Sequence, residues 1–410
     1  MRYKNIAISV IIMMCVGIIY INTQITVPTP YNYFTRLAQA FLSGRLAIPD
    51  NPPHLNELIE NQKGDGYYVV YPPMPAIIAI PFIILNIADK SQTFIAITIG
   101  TLNAGLMWLT AKRLFNTRIA VTLAIMLALG TNHWYLATEG SAWYLAHICA
   151  VFFILLALLI LQIRQNENTL RATNSSVRWF LAGVSISAAY WSRLPSILII
   201  PAFVCIWYAN TVNQKENKIR HLKANSKQIA LFICGTAICV LLNFGYNYAR
   251  FNTILDKAYV LIPGVLDEPW YTEGIFSLSY FKRNLEFILF KKPLLTENFP
   301  FVKPSLEGMS LILTSPFLIA LPAVKIKKRW SIVFIATGIL LLMPGLLHGT
   351  PGFSQFGYRF AMEATPLFIL ALGTFLERKI WWLALPPIIA SIIINYWGIY
   401  AIRVLNEYGW

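Results

Sequence analysis

Residues 28–46 read PTPYNYFTRLAQAFLSGRL, and residues 67–81, after a mostly polar run, read YYVVYPPMPAIIAIP. This is the first long polar interruption in a chain that otherwise reads as membrane sequence. Phe34, Leu37, Ala38, Phe41 and Leu42 recur at i, i+3, i+4, i+7 and i+8, an apolar stripe along one helical face. Thr29 can cap that helix, Pro30 suits its first position and Gly44 can end it, which predicts an amphipathic helix over 31–44. Placed just after a hydrophobic segment, such a helix should rest in the bilayer interface rather than cross it. The Tyr71-Pro72-Pro73 re-entry then opens a short apolar run, 75–88, with Pro75 and Pro81 inside it. A structured loop of this kind is more than a simple channel needs, and it reads as the roof of an active site at the membrane surface.

Working outward, the 410 residues are 57% hydrophobic and only 12% charged, with a mean hydropathy of +0.58. Soluble domains carry about 25% charged residues, so the chain reads as an all-α polytopic membrane protein in one domain, 1–410. The net charge of +15 sits mainly in short loops between apolar segments. That is an orientation signal with some attraction to anionic membrane lipids, and no basic soluble domain exists to bind nucleic acid. The five cysteines all fall within apolar runs, which predicts small buried hydrophobes rather than a disulfide framework. The N-terminal apolar run lacks a small-residue cleavage site and is expected to be an uncleaved first span.

Spans need about 20 mostly apolar residues. Eleven segments qualify as transmembrane helices: 6–22, 92–111, 119–138, 143–163, 179–192, 194–210, 229–248, 309–324, 330–347, 359–376 and 380–402. If 75–88 dips in without crossing and the N-terminus is cytoplasmic, more than half of the 33 Lys and Arg residues fall in short cytoplasmic loops. If it crosses, the clusters at 215–227 and 325–329 face outward, against the positive-inside rule. The re-entrant reading is therefore preferred. It places the first loop, 23–91, and a second large loop, 249–308, on the same extracytoplasmic face. The second loop is dense in aromatic residues (Trp270, Tyr271, Phe276, Tyr280, Phe281), as suits headgroup depth. No internal repeat or inverted half is evident.

Candidate chemistry follows from ionisable groups at membrane depth, which are costly and tend to face a cavity or a partner. Glu139, in ATEGSAWYLAHI, sits at the outer end of a span with His147 in the next, eight residues on across a turn; it reads either as a headgroup-zone carboxylate paired with a nearby base or as an active-site carboxylate. Arg193 follows Tyr-Trp-Ser at an outer turn. Arg359 precedes Glu363 at i+4, one helical face apart. One reading makes Arg359–Glu363 a structural pair and lets Arg193 snorkel to the interface. The other uses arginine's bidentate grip on phosphate to stabilise a departing phosphate. Arg36, four residues after Asn32 on the amphipathic helix, can serve the same end or simply be solvated, and Tyr71 can line a pocket or be an ordinary interfacial tyrosine. His54, His133 and His348 show no metal-ligand spacing, so no cofactor is expected, with a divalent metal left open. No phosphate-loop, dinucleotide or nucleophile-elbow motif is present, which argues against nucleotide hydrolysis and serine hydrolase chemistry. An activated substrate must come from elsewhere, and a lipid-linked donor in the bilayer answers that need.

At this point the chain resembles the bacterial GT-C glycosyltransferases, the polyprenyl-phosphate-sugar-dependent superfamily of the protein mannosyltransferase and aminoarabinose transferase types. The resemblance rests on NYFTRLAQAFLSGRL, YYVVYPPMPAIIAIPF, AKRLF, GSAWYLAH, SRLPSIL, YNYARFN, GMSLILTSP and GFSQFGYRF…ATPLF, short matches spread over nearly the whole chain. It implies a lipid-phosphate sugar donor in a lateral cavity and inverting transfer to an acceptor on the outer face of a bacterial inner membrane. It also implies an acidic base and a cation on the lipid phosphate. Such families place an Asp just after the first span, whereas this chain has Tyr31-Asn32-Tyr33, and Asn32 cannot take a proton as a carboxylate can. Glu139, matching a second acidic position of such families, or Asp65 then takes the role, or activity is lost. Two rivals stay open. A lipid flippase or transporter predicts charges deep in spans and paired broken helices, and a non-catalytic scaffold predicts no stabilisation by donor lipid.

Overall fold

A computed structural model describes residues 2–24, 29–87, 92–166, 169–212, 218–297, 299, 301–324, 328–378 and 380–405. Loop positions 88–91, 213–217, 325–327 and 379, several of whose charges enter the orientation argument, lie outside these residues.

The chain is mostly helical. It begins with α1 (Arg2–Thr23), α2 (Tyr33–Leu42), a hairpin of β1 (Leu58–Glu60) and β2 (Tyr67–Val69), and α3 (Met74–Ile84). Then come α4 (Gln92–Leu114), α5 (Thr117–Leu129), α6 (His133–Glu139), α7 (Ala142–Ile160), α8 (Ser176–Ser192), α9 (Ile200–Val212) and α10 (Lys218–Phe251). The last third holds α11 (Phe281–Phe290), α12 (Leu311–Thr314), α13 (Arg329–Leu347), α14 (Thr365–Leu376) and α15 (Leu385–Leu405). The hairpin is antiparallel, with Leu58 opposite Val69 and Glu60 opposite Tyr67.

Among the described residues, six helices are long and apolar enough to cross a membrane, or seven if α5 and α6, bent by 51°, make one span. The expectation of eleven counted apolar segments that hydropathy cannot tell from continuous helices. Segment 194–210 is a 3₁₀ turn, Leu194–Ile199, followed by α9, and 309–324 is the four-residue α12 followed by a 3₁₀ turn, Pro316–Ala323. Segment 359–376 is a 3₁₀ turn, Arg359–Ala361, followed by α14, whose twelve residues are all buried. Prolines open or interrupt these pieces, and irregular backbone survives at membrane depth only where protein surrounds it.

The first-loop helix is two residues shorter at each end than the stripe suggested, with Phe34, Leu37 and Ala38 fully buried. α3 carries Pro75 and Pro81 and spans eleven residues. At 1.5 Å per residue that is about 16 Å, half of a ~30 Å hydrocarbon core. The α8–α10 contact is set by small residues: a Cβ on Gly183 would lie 2.2 Å from the Phe232 carbonyl, and one on Gly235 would lie 2.3 Å from that of Phe180. Two backbones come that close only through glycine. Cys149 and Cys239 are buried as expected, but Cys15, Cys205 and Cys234 face outward, because an apolar run in a membrane protein has a lipid side as well as a core side.

Arg250, at the end of α10, ties the two large loops together. Its guanidinium donates to the Val69 carbonyl at 2.7 Å and to Asn247 at 2.9 Å, and lies 3.7 Å from the Tyr246 ring centre. Arg250→Ala should cost about 2–3 kcal/mol, the scale of a charged hydrogen bond left unmade in a buried site. It should appear as a lower unfolding temperature in detergent.

Candidate active site

The site grows from the turn between α6 and α7. Gly140 closes α6 in the left-handed region, φ +71°, with its missing Cβ only 2.5 Å from Thr93 Cα. That turn aims Glu139 at the start of α7, where its carboxylate accepts the Ser141 N–H at 2.7 Å. The Glu139 carbonyl accepts the Thr93 hydroxyl at 2.8 Å. Gln92 locks the first loop against this turn: its amide donates to the carbonyls of Gly140 (2.9 Å) and Tyr31 (3.3 Å), and its oxygen accepts the Phe34 N–H at 3.0 Å. Glu139 is thus buried and bound to the backbone N–H of Ser141, the residue just before α7, where a negative charge is favoured by the helix dipole.

A second carboxylate reaches the same place from the first loop. Glu57 precedes β1, and its N–H donates to the Tyr33 hydroxyl at 3.1 Å. Its carboxylate accepts the Trp143 indole N–H at 3.0 Å, and the Trp143 ring leans on Tyr31 at 4.7 Å. Burial pushes the Glu57 carboxyl up to about 7, against the Trp143 bond and the Arg359 charge, which favour ionisation. The sequence reading missed Glu57. Asp50, Glu57, Glu60 and Asp65 look alike along the loop, and only the Tyr33 anchor singles one out.

The cations gather around Phe360. Arg193 lies 5.4 Å and Arg359 4.9 Å from its ring centre, with Tyr144 5.9 Å from Arg359. The Arg359–Glu363 pair expected from i+4 spacing does not form. Residues 359–361 are a 3₁₀ turn, where i and i+3 align instead, so Glu363 points elsewhere. It accepts from His147 Nδ1 at 2.8 Å and pairs with Arg193 at 3.2 Å, and His147 therefore turns to Glu363 rather than to Glu139. Arg359 donates to the Phe353 carbonyl and the Gln355 side chain, both at 3.1 Å. Among the described residues no carboxylate lies within ion-pair distance of it.

The remaining candidates are placed as follows. Arg36 pairs with Asp50 and donates to Asn32 at 2.8 Å, so both expected ligand groups serve each other on the loop. Asp65 sits in the exposed hairpin turn, accepting from Asn61 at 2.7 Å, away from the gathered cations. Tyr71 packs edge-on to Tyr33 at 5.4 Å and has a buried hydroxyl without a protein partner. The second loop closes over Arg359: Trp270 packs on Phe353 at 4.8 Å and donates to Glu268 at 2.8 Å. Among the described residues no three His, Cys, Asp or Glu converge as a metal site.

No protein-family model and no curated protein matches this chain, but solved structures do. The Archaeoglobus fulgidus oligosaccharyltransferase in its apo form superposes with a TM-score of 0.53 at 14% identity, over 96% of this chain and 56% of its own. Its complex, as AglB, with an inhibitory peptide and a dolichol-phosphate gives 0.51 at 15%, over 96% and 56%. ArnT from Cupriavidus metallidurans, bound to undecaprenyl phosphate, gives 0.52 at 12%, over 98% and 76%. This chain has the GT-C fold. It spans just over half the length of the archaeal proteins it matches. At such identities the GT-C likeness concerns the path of the backbone, and the chemistry rests on the side chains described above.

Proposed function

We propose that the chain is a GT-C-type inverting glycosyltransferase of the bacterial inner membrane, with a cytoplasmic N-terminus. It moves a sugar from a polyprenyl-phosphate-linked donor to an acceptor on the extracytoplasmic face. The observation that carries this reading is the pairing of Arg359, a cation without a carboxylate partner, with Glu57, a carboxyl poised near neutrality, beneath one loop roof. Two structural neighbours bound to lipid phosphates support the choice of donor.

In the step envisaged, an acceptor hydroxyl gives its proton to Glu57 as its oxygen bonds to the anomeric carbon. The bond from that carbon to the phosphate oxygen breaks, and its electron pair leaves on the lipid phosphate. Arg359, seconded by Arg193, steadies the departing charge, a role in which arginine geometry and a dry site both help. Arg193 is the weaker partner because Glu363 already offsets it. Asn32 and Arg36 shape the loop, and Tyr71 and His147 belong to the pocket wall.

Turnover of a lipid-linked sugar by the purified protein tests the assignment. Counterflow of the donor in liposomes without bond cleavage would place the chain with the flippases instead. Glu139 supplies a separate expectation. As a brace on the turn before α7 rather than the base, Glu139→Gln should keep turnover within about tenfold of the wild type, and Glu139→Ala should cost about 1 kcal/mol of stability, the scale of one lost hydrogen bond. A Gln variant with no activity at normal stability would return the base role to Glu139.

A further inference from the structure

Apart from this site lies a groove of about 590 Å³ between α11, α12, α13 and the 3₁₀ turn 316–323, lined entirely by apolar side chains. One wall is a stripe on α13, from Ile332 through Ile339 and Leu342 to Leu346. The fourteen steps of 1.5 Å from Ile332 to Leu346 make it about 21 Å long, more than the ~15 Å of a single leaflet's hydrocarbon. Phe281, Leu285, Ile288 and Leu289 of α11 face into it at i, i+4, i+7 and i+8, so α11 roofs one end with its apolar face. Nothing polar lines the groove, and only a hydrocarbon chain suits it.

The ends carry the opposite chemistry. Lys282 and Arg283 on α11 and Lys292 just beyond it are exposed, as is Arg329 one turn before Ile332. Lys291 is paired with Glu307, and Arg283 also donates to the Gly349 carbonyl. On and just after α11, residues 282–292 carry four cations, Lys282, Arg283, Lys291 and Lys292, and one carboxylate, Glu286. A row of rings leads from α11 to the active site: Phe287 is 6.1 Å from Tyr358, Tyr358 is 5.7 Å from Phe360, and Arg193 and Arg359 lie 5.4 Å and 4.9 Å from the Phe360 ring centre.

We infer that this groove is a site for an anionic glycerophospholipid, one acyl chain lying along α13 and the headgroup lying along α11, within the field of Lys282 and Arg283 at its start and Lys292 beyond its end. The site is separate from donor binding and does not depend on the glycosyltransferase reading. Cations near a membrane surface each favour anionic lipid enough that two or three give about tenfold preference or more.

The test is native mass spectrometry of the full-length protein in detergent, incubated with phosphatidylglycerol or phosphatidylcholine. The wild type should retain one phosphatidylglycerol, about tenfold over phosphatidylcholine. The pair Lys282→Glu and Lys292→Glu should abolish that preference, and Leu342→Trp, which plugs the groove, should abolish retention of both lipids. Where Leu342→Trp lowers the unfolding temperature too far, Ile339→Phe gives the same reading with less intrusion. Equal retention of the two lipids by the wild type, or unchanged retention in a folded groove-filling variant, would overturn the inference. Displacement of phosphatidylglycerol by equimolar polyprenyl phosphate would also overturn it, since the groove would then hold the donor's chain.

Discussion

Glu57→Gln is expected to lower sugar transfer by about a hundred- to ten-thousandfold, the range a positioned general base contributes. The amide is isosteric and still accepts the Trp143 indole N–H, seen at 3.0 Å in the native site, so fold and donor affinity should hold. Only proton removal is lost, and the defect should sit in kcat rather than in KM. The native enzyme adds a pH signature. Burial places the Glu57 carboxyl near 7, and a base works only when ionised, so kcat should climb as pH rises through about 7 and then level off. In Glu57→Gln that limb should vanish. A variant that keeps native turnover, or a limb that survives the substitution, would exclude Glu57 as the base. Radiolabelled-sugar transfer between about pH 5.5 and 8.5 measures both.

Arg359→Ala carries the second large effect. Removing one preorganised donor to a developing charge typically costs about a hundred- to a thousandfold in rate. Here the loss should be no smaller, because Arg193 is already offset by Glu363 at 3.2 Å. Arg359→Lys should recover only part of the rate: it restores the charge but not the planar, two-pronged geometry that matches phosphate. Donor affinity, read by thermal stabilisation with a polyprenyl phosphate, should fall with Arg359→Ala and stay native in Glu57→Gln. A variant lacking Arg359 that binds donor normally and turns it over normally would remove the phosphate site.

The membrane class, the apolar segments and the amphipathic first-loop helix were legible because each is a local pattern. Periodicity over a dozen residues reports which face of a helix is buried, and it placed α2 within two residues at either end. Continuity was harder to read. Hydropathy averages over prolines, so 309–324 and 359–376 look like spans, although one is a short helix with a 3₁₀ turn and the other a turn with a buried helix. The i+4 rule failed at Arg359 and Glu363 for the same reason, since it assumes α-helical pitch where the chain winds as 3₁₀.

What the sequence by itself determined is the medium and the raw material: a helical membrane protein with an ordered polar loop, and arginines and carboxylates at the ends of its apolar segments. Only the tertiary structure decided the partnerships. His147 and Glu363 are 216 positions apart, and Trp143 and Glu57 are 86 apart, distances over which no local period reaches. Loop carboxylates are chemically equal until the fold desolvates one of them. Here packing of the first loop onto α7 did so to Glu57, while a 3₁₀ turn left Arg359 with no carboxylate at ion-pair distance among the described residues.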